Sequence, residues 1–148
     1  MDLSGSYSFA APASVVWNLL VDPDAVASCL PGCRCLEPLG EDRYRAELTM
    51  AVAMIGGNYS GTVAILDKLP PNSFRLVIDG SGQTGFVKGE ARIDLVAQGD
   101  ATIVNVHGNG QVGGLLARVG QRLLGTASKM LVDQFFARVD ARIRQASG

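Results

Sequence analysis

The chain has 148 residues, enough for one domain with a substantial core and too few for two. Its apolar share is 47% and its mean hydropathy +0.20, yet the longest unbroken apolar run, Met50 to Ile55, is far short of the roughly 20 residues of a membrane-spanning helix. A net charge of −1 without a basic-aromatic stripe argues against nucleic acid, and an N-terminus lacking a basic or apolar leader predicts a cytoplasmic protein.

Leu3, Gly5, Tyr7 and Phe9 alternate with serines and predict a first strand. Pro12 suits a first helical turn, and Val16, Trp17, Leu20 and Val21 form one apolar side. Asp22-Pro23-Asp24 stops that helix and starts a second short one, Ala25 to Leu30, which Pro31-Gly32 ends. Strands separated by turns follow. Arg34–Pro38 is short, and the next runs through Tyr44, Ala46, Leu48, Met50, Val52 and Met54 to a hairpin signal at Gly56-Gly57-Asn58. Tyr59, Gly61, Val63 and Ile65 precede the turn Pro70–Ser73, and Phe74, Leu76, Ile78 and Gly80 precede Gly82–Gly85. Val87, Gly89, Ala91, Ile93 and Leu95 share one face, with Lys88, Glu90, Arg92 and Asp94 on the other. After Gln98-Gly99-Asp100 the last strand runs through Thr102, Val104, Val106, Gly108 and Gly110.

From Leu115 to Ile143 the period becomes helical, with Leu116, Val119, Leu123, Ala127, Met130 or Leu131, Phe135 and Val139 on the apolar side. Gly120 and Gly125 each cost on the order of 1 kcal/mol against alanine, so a kink or a separate short helix over 115–121 is expected. The order predicts an α+β domain over residues 1–148: a curved seven-stranded antiparallel sheet around a long C-terminal helix, with two short helices after the first strand.

Residues 115–148 carry six basic side chains against two acids, a local charge of +4, while the first 114 carry seven against twelve, −5. Arg118, Arg122, Lys129, Arg138, Arg142 and Arg144 therefore mark a basic helix, read either as a surface for an anionic membrane or acidic partner or as complement to the helix dipole. Cys29, Cys33 and Cys35 lack the spacing of a metal knuckle or a thioredoxin-type pair and read as structural, reduced thiols. Cys33 and Cys35 are expected on one side of their strand.

Catalytic machinery is not legible. His107, the single histidine, falls with Ile103 and Asn105 on the face opposite Val104 and Val106. Glu47, Asp79, Glu90 and Asp94 occupy polar strand faces, where nothing raises a carboxyl pKa. Gly80–Gly85 precedes a strand and lacks a phosphate-binding lysine. The inner faces offer bulk without reactivity. Each residue alone reads as core, whereas the collective pattern points to an apolar cavity. Its expected walls are Leu48, Met50, Tyr59, Val63, Phe74, Leu76, Ile78 and Val104, closed by Leu116, Leu123, Met130 and Phe135. Met54 and Ile93 belong to the same inner set, and Trp17 and Leu20 pack beneath it. No metal or catalytic residue is expected.

Six stretches resemble the CoxG family of carbon monoxide dehydrogenase proteins across essentially the whole chain. They are Leu30-Pro31-Gly32-Cys33, Gly61 to Asp67, Pro70-Pro71, Gly85 to Gly89, Gly113 through Gly120-Gln121-Arg122-Leu123, and Gln134-Phe135-Phe136. The resemblance implies the START-like helix-grip fold and a noncatalytic accessory of a molybdenum hydroxylase of the CO dehydrogenase type. It further implies carriage of an isoprenoid quinone or other lipid, or recruitment of the enzyme to the inner face of the plasma membrane. The alternatives are a docking or maturation module without a ligand and a START-like cyclase or hydrolase. Family members with a hydrophobic anchor carry it beyond the last helix. This chain stops at Gly148, so transient, salt-sensitive membrane contact is expected.

Overall fold

A computed structural model of the chain describes residues 2–50 and 56–147, with Ser147 described in its backbone alone. Strand β1 (Asp2–Phe9) is followed by α1 (Ala13–Val21) and α2 (Pro23–Cys29). Then come β2 (Cys33–Gly40), β3 (Arg43–Met50), β4 (Gly57–Leu69), β5 (Ser73–Gly82), β6 (Gly85–Gln98) and β7 (Ala101–Gly113). A 3-10 turn (Gly114–Arg118) leads into α3 (Gln121–Ser147). The sheet order is β1-β7-β6-β5-β4-β3-β2, every pair antiparallel, as the alternation predicts. The expected inward positions Val52 and Met54 lie outside the described residues.

Local chemistry sets the corners. Pro23 opens α2, and the Asp22 carboxylate caps it by accepting from the Asp24 amide at 3.0 Å. Gly32 ends the helical pair with φ +76, and a Cβ there would come within 2.1 Å of the Thr49 carbonyl oxygen. The helix end is thereby pressed onto β3, and Thr49 donates its amide to the Gly32 carbonyl at 2.8 Å.

Register assigns the concave face. Tyr7, Val104, Leu95, then Val106, Ile93, Phe74, then Ala91, Leu76, Ile65, and Ile78, Val63, Tyr44 are direct cross-strand neighbours pointing one way. The buried residues on this face form two separate clusters. The larger one joins Phe9, Trp17, Leu20, Phe74, Ile93 and Val104 to Phe136, Val139 and Ile143 of α3. Its rings interlock: Trp17 meets Phe74 edge-on at 5.3 Å, and Tyr7 stacks on Phe136 at 4.3 Å. The smaller one, at the other end of the strands, joins Leu116, Leu124 and Ala127, with Met50, Tyr59, Val87, Val112 and Val119 against it.

The structure corrects two sequence expectations. The buried side of α3 is Leu124, Ala127, Phe136, Val139 and Ile143, while Leu123 and Met130 point outward, 37% and 48% exposed. The expected phase ran unbroken from Leu116 through Val119 to Leu123. Gly120, at φ +96, separates the 3-10 turn from α3, so the turn's phase does not carry through to Leu123, while Ala127 and Val139 are buried as expected. Cys33 and Cys35 do not share a side either. A bulge sets Cys33 opposite Leu48 on the concave face and Cys35 opposite Glu47 on the convex one.

This packing makes two stability changes measurable. Thr102 is fully buried and its hydroxyl donates to the Ala11 carbonyl at 2.8 Å. Thr102→Val leaves that carbonyl unpaired and is expected to cost about 1–3 kcal/mol in urea unfolding. Gly125 sits inside α3 where a Cβ would meet no atom within 4 Å. Gly125→Ala is expected to stabilise the protein by about 1 kcal/mol, read as a melting temperature about 2–4 °C higher.

Candidate functional site

Between the two clusters the apolar concave face forms a shallow trough, partly uncovered at Ile78. Its floor crosses the middle of the sheet. Ala46, Gly61, Gly80 and Val87 are successive partners from β3 to β6, and the next row is Tyr44, Val63, Ile78 and Gly89. The packing leaves part of this floor uncovered, although Ala46 is itself buried and Val87 packs on the smaller cluster. The helix rests on β1 and α2, while α1 rests on β6 and β7, so the centre of the sheet has no helix pressed onto it. Ile78, on the concave side of the central strand β5, is 37% exposed, and Val63 and Leu76 beside it are half-buried.

The expected wall residues divide. Leu48, Val63, Leu76 and Ile78 border the trough, Met50 and Tyr59 line its end at the smaller cluster, and Leu116 is buried within that cluster. Phe135 is half-buried against the larger cluster. Phe74, with Trp17, and Val104 are fully packed core and present no free surface, Leu123 is exposed, and Met130 lines the groove between α3 and β1. Sequence reasoning placed Ala127 on the apolar side of the helix and missed Val87 and Leu124 as contributors. Val87 shared the concave alternation, so its signal was present; Leu124 lay one position past the expected Leu123.

Two polar groups flank the trough. At one end the Tyr59 and Thr84 hydroxyls are hydrogen-bonded at 2.5 Å beside a recess of about 200 Å³ formed by Gly56–Asn58 and Gln83–Thr84. Tyr59 is thus engaged within the protein. At the β1 edge, Tyr7 donates to Asp133 at 2.6 Å and accepts from Lys129 at 3.0 Å, while Lys129 also bonds Asp133 at 2.8 Å. This trio borders a groove of about 590 Å³ between Asp2–Ser4 and α3. Hydrogen bonds to Asp133 and Tyr7 raise the Lys129 ammonium pKa, and the Lys129 bond lowers that of the Asp133 carboxyl. Burial, then the bond to Asp133, pushes the Tyr7 phenol up. All three are held in their ordinary protonation states. Burial likewise raises the Cys33 thiol, which stays protonated on the concave face.

The predicted basic surface is not one stripe. Arg122 and Arg138 are sixteen residues apart, roughly 160° around the helix. Arg142 donates to Ser28 of α2 at 2.6 Å, Lys129 is held by Asp133, and Arg144 pairs with Asp140. Arg118 and Arg122 remain exposed at the end of the smaller cluster. His107 is exposed on the convex face, where Arg75 bridges Asp67 and Glu90, and Arg45 bridges Glu37 and Glu47. Among the described residues no three His, Cys, Asp or Glu side chains gather to hold a metal ion, and no helix is long and apolar enough to cross a membrane.

Known structures share this arrangement. A conserved protein from Geobacillus kaustophilus is 33% identical over 99% of this chain and 97% of its own, with a TM-score of 0.95. A START superfamily protein from Mycobacterium smegmatis is 16% identical, covers 98% of both chains and superposes at a TM-score of 0.81. A norcoclaurine synthase point mutant from Thalictrum flavum, in complex with a transition-state analogue, is 15% identical over 100% and 96%, at a TM-score of 0.72. The last two show the helix-grip fold alone. No protein of curated function matches the sequence. Residues 5–144 match the carbon monoxide dehydrogenase CoxG family, so the fold and almost the entire sequence agree, and the chain belongs to that family.

Proposed function

We propose that this protein is a noncatalytic accessory of a molybdenum CO dehydrogenase-type enzyme that carries a hydrophobic ligand in the central trough, an isoprenoid quinone being the sharpest candidate. The observation that carries the reading is Ile78: an apolar side chain more than one-third exposed at the centre of a concave face, between two packed clusters. A folding core buries such a position, whereas a ligand-binding one leaves it for the ligand to cover. Family membership supplies the dehydrogenase as partner.

The chemistry of the polar groups supports binding over catalysis. A nucleophilic lysine needs a lowered pKa and a general acid a raised carboxyl, and the Lys129–Asp133 pair is shifted the opposite way. Arg118 and Arg122 support transient contact with an anionic membrane. Each adds about 1 kcal/mol at low salt and less as salt rises. The second reading, a docking module without a ligand, is favoured by the outward Leu123 and Met130.

Titration of lipid-stripped protein with decylubiquinone, followed by tryptophan fluorescence, separates the two. Ile78→Asp is expected to weaken binding at least tenfold with little loss of stability, because the position is already partly wet, and Leu123→Asp is expected to leave it unchanged. Saturable binding by none of the proteins, together with no co-purifying lipid in native mass spectrometry, would transfer the function to the docking surface.

A further inference from the structure

An open sheet has two edges, here β1 and β2, and the chain treats them differently. An edge offers unpaired backbone N–H and C=O groups to any other extended chain, and proteins blunt it with proline, bulges or inward charges. Strand β2 carries Pro38 and two register shifts. Strand β1 carries none of these devices: it runs eight residues without a bulge or proline, and its inward residues Leu3, Gly5, Tyr7 and Phe9 are uncharged. Among the described residues its backbone bonds to β7 alone. Beside this edge lies the groove of about 590 Å³. Lys129 crosses β1 so closely that a Cβ on Gly5 would lie 2.9 Å from its ammonium. Toward the start of both elements helix and strand part, and the groove opens between Asp2–Ser4 and residues 121–133.

We propose that this groove is a strand-addition site, which takes an extended acidic segment of a partner protein paired antiparallel to β1 and walled by α3. The side chains present set that chemistry. Met130, 48% exposed, and Leu3, on the concave side of β1, offer apolar surface. Arg122 stands in the same wall, and its guanidinium has no carboxylate partner among the described residues. Asp133 is taken up by Lys129 and Tyr7, and Asp2 has the convex parity of Ser4 and Ser6. The charge left for a ligand on the concave side is therefore positive. Residues 121–130 span about 15 Å of helix, the length of about four extended residues. Since β1 and α3 both begin at this end, an antiparallel segment reaches Arg122 with its C-terminal part, where its acid belongs. Main-chain pairing supplies affinity, and alternate side chains supply selection. The site stands at the sheet edge and is independent of the trough.

The test is selection of random octapeptides displayed on phage against the whole folded chain, followed by fluorescence-polarisation titration of the enriched peptide. The expected family has an acidic residue in its C-terminal half and an apolar one two positions away, so that both face α3. Arg122→Glu and Met130→Asp are each expected to weaken binding at least tenfold, and Arg138→Glu, outside the groove, less than twofold. All three residues are exposed, so the variants are expected to melt with the parent, which separates lost binding from lost fold. Methylating the peptide's amide nitrogens one at a time is expected to abolish binding at alternate positions only, the signature of pairing with one strand edge. No enriched family, tolerance of methylation at every position, or loss of binding in Ile78→Asp in place of the groove variants would overturn the proposal. So would a dimer of the parent protein that Ser4→Pro dissociates, since the edge would then belong to a second copy.

Discussion

Seven strands spaced about 4.8 Å apart present a face roughly 29 Å across, and a helix about 10 Å wide covers only a third of it. Everything else in this protein follows from how that deficit is met. At one end α1 and the C-terminal half of α3 converge on β6, β7 and β1, and Phe9, Trp17, Phe74 and Phe136 fill the space between them. At the other the 3-10 turn folds in, with Leu116 buried and its amide bonded to the Thr84 carbonyl at 2.8 Å. The middle is left with its apolar floor partly wet. Curvature concentrates rather than removes this exposure, since it turns the uncovered strands to face one another across a trough.

The position of α3 is fixed by its second half. Phe136 stacks on Tyr7, Val139 and Ile143 are almost completely buried, and the Tyr7–Lys129–Asp133 bonds tie the middle of the helix to β1. Upstream of that tie only Leu124 and Ala127 are buried, and Gly125 adds a weak helix former between them. The N-terminal half of α3 is therefore the half with less holding it down.

Strand existence and face were legible because period-two alternation maps directly onto a sheet with one wet side. His107, Glu47, Glu90 and Asp94 stand on the convex surface as their spacing required. The helix was legible in extent and only in part in phase. One left-handed residue, Gly120, breaks the turn from the helix, so the pattern read through it misplaced Leu123 while Ala127 and Val139 fell where expected. The same limit explains Cys33 and Cys35, where a single bulge residue exchanges inside for outside. It also explains the basic side of the helix: six cations within 27 residues look like a surface in composition, but α2 and neighbouring carboxylates take three of them. Which apolar residue is covered was not legible in the sequence, as Phe74 and Ile78 show. They lie on one face of one strand, four residues apart, yet Trp17 covers the first and no residue of the two clusters covers the second.

Sharing a fold with norcoclaurine synthase carries no chemistry to this chain, because chemistry resides in the groups a site holds and in their protonation. The titratable trio nearest the trough has a lysine, a tyrosine and an aspartate, a set that could serve acid–base work in a dry pocket. Here Lys129 and Asp133 lie at the sheet edge with their side chains roughly half in solvent, and each stabilises the charged form of the other. Catalysis would require separating them or drying them, so that one carried the wrong charge at neutral pH. Their geometry does the reverse. It turns reactive residue types into a brace between β1 and α3.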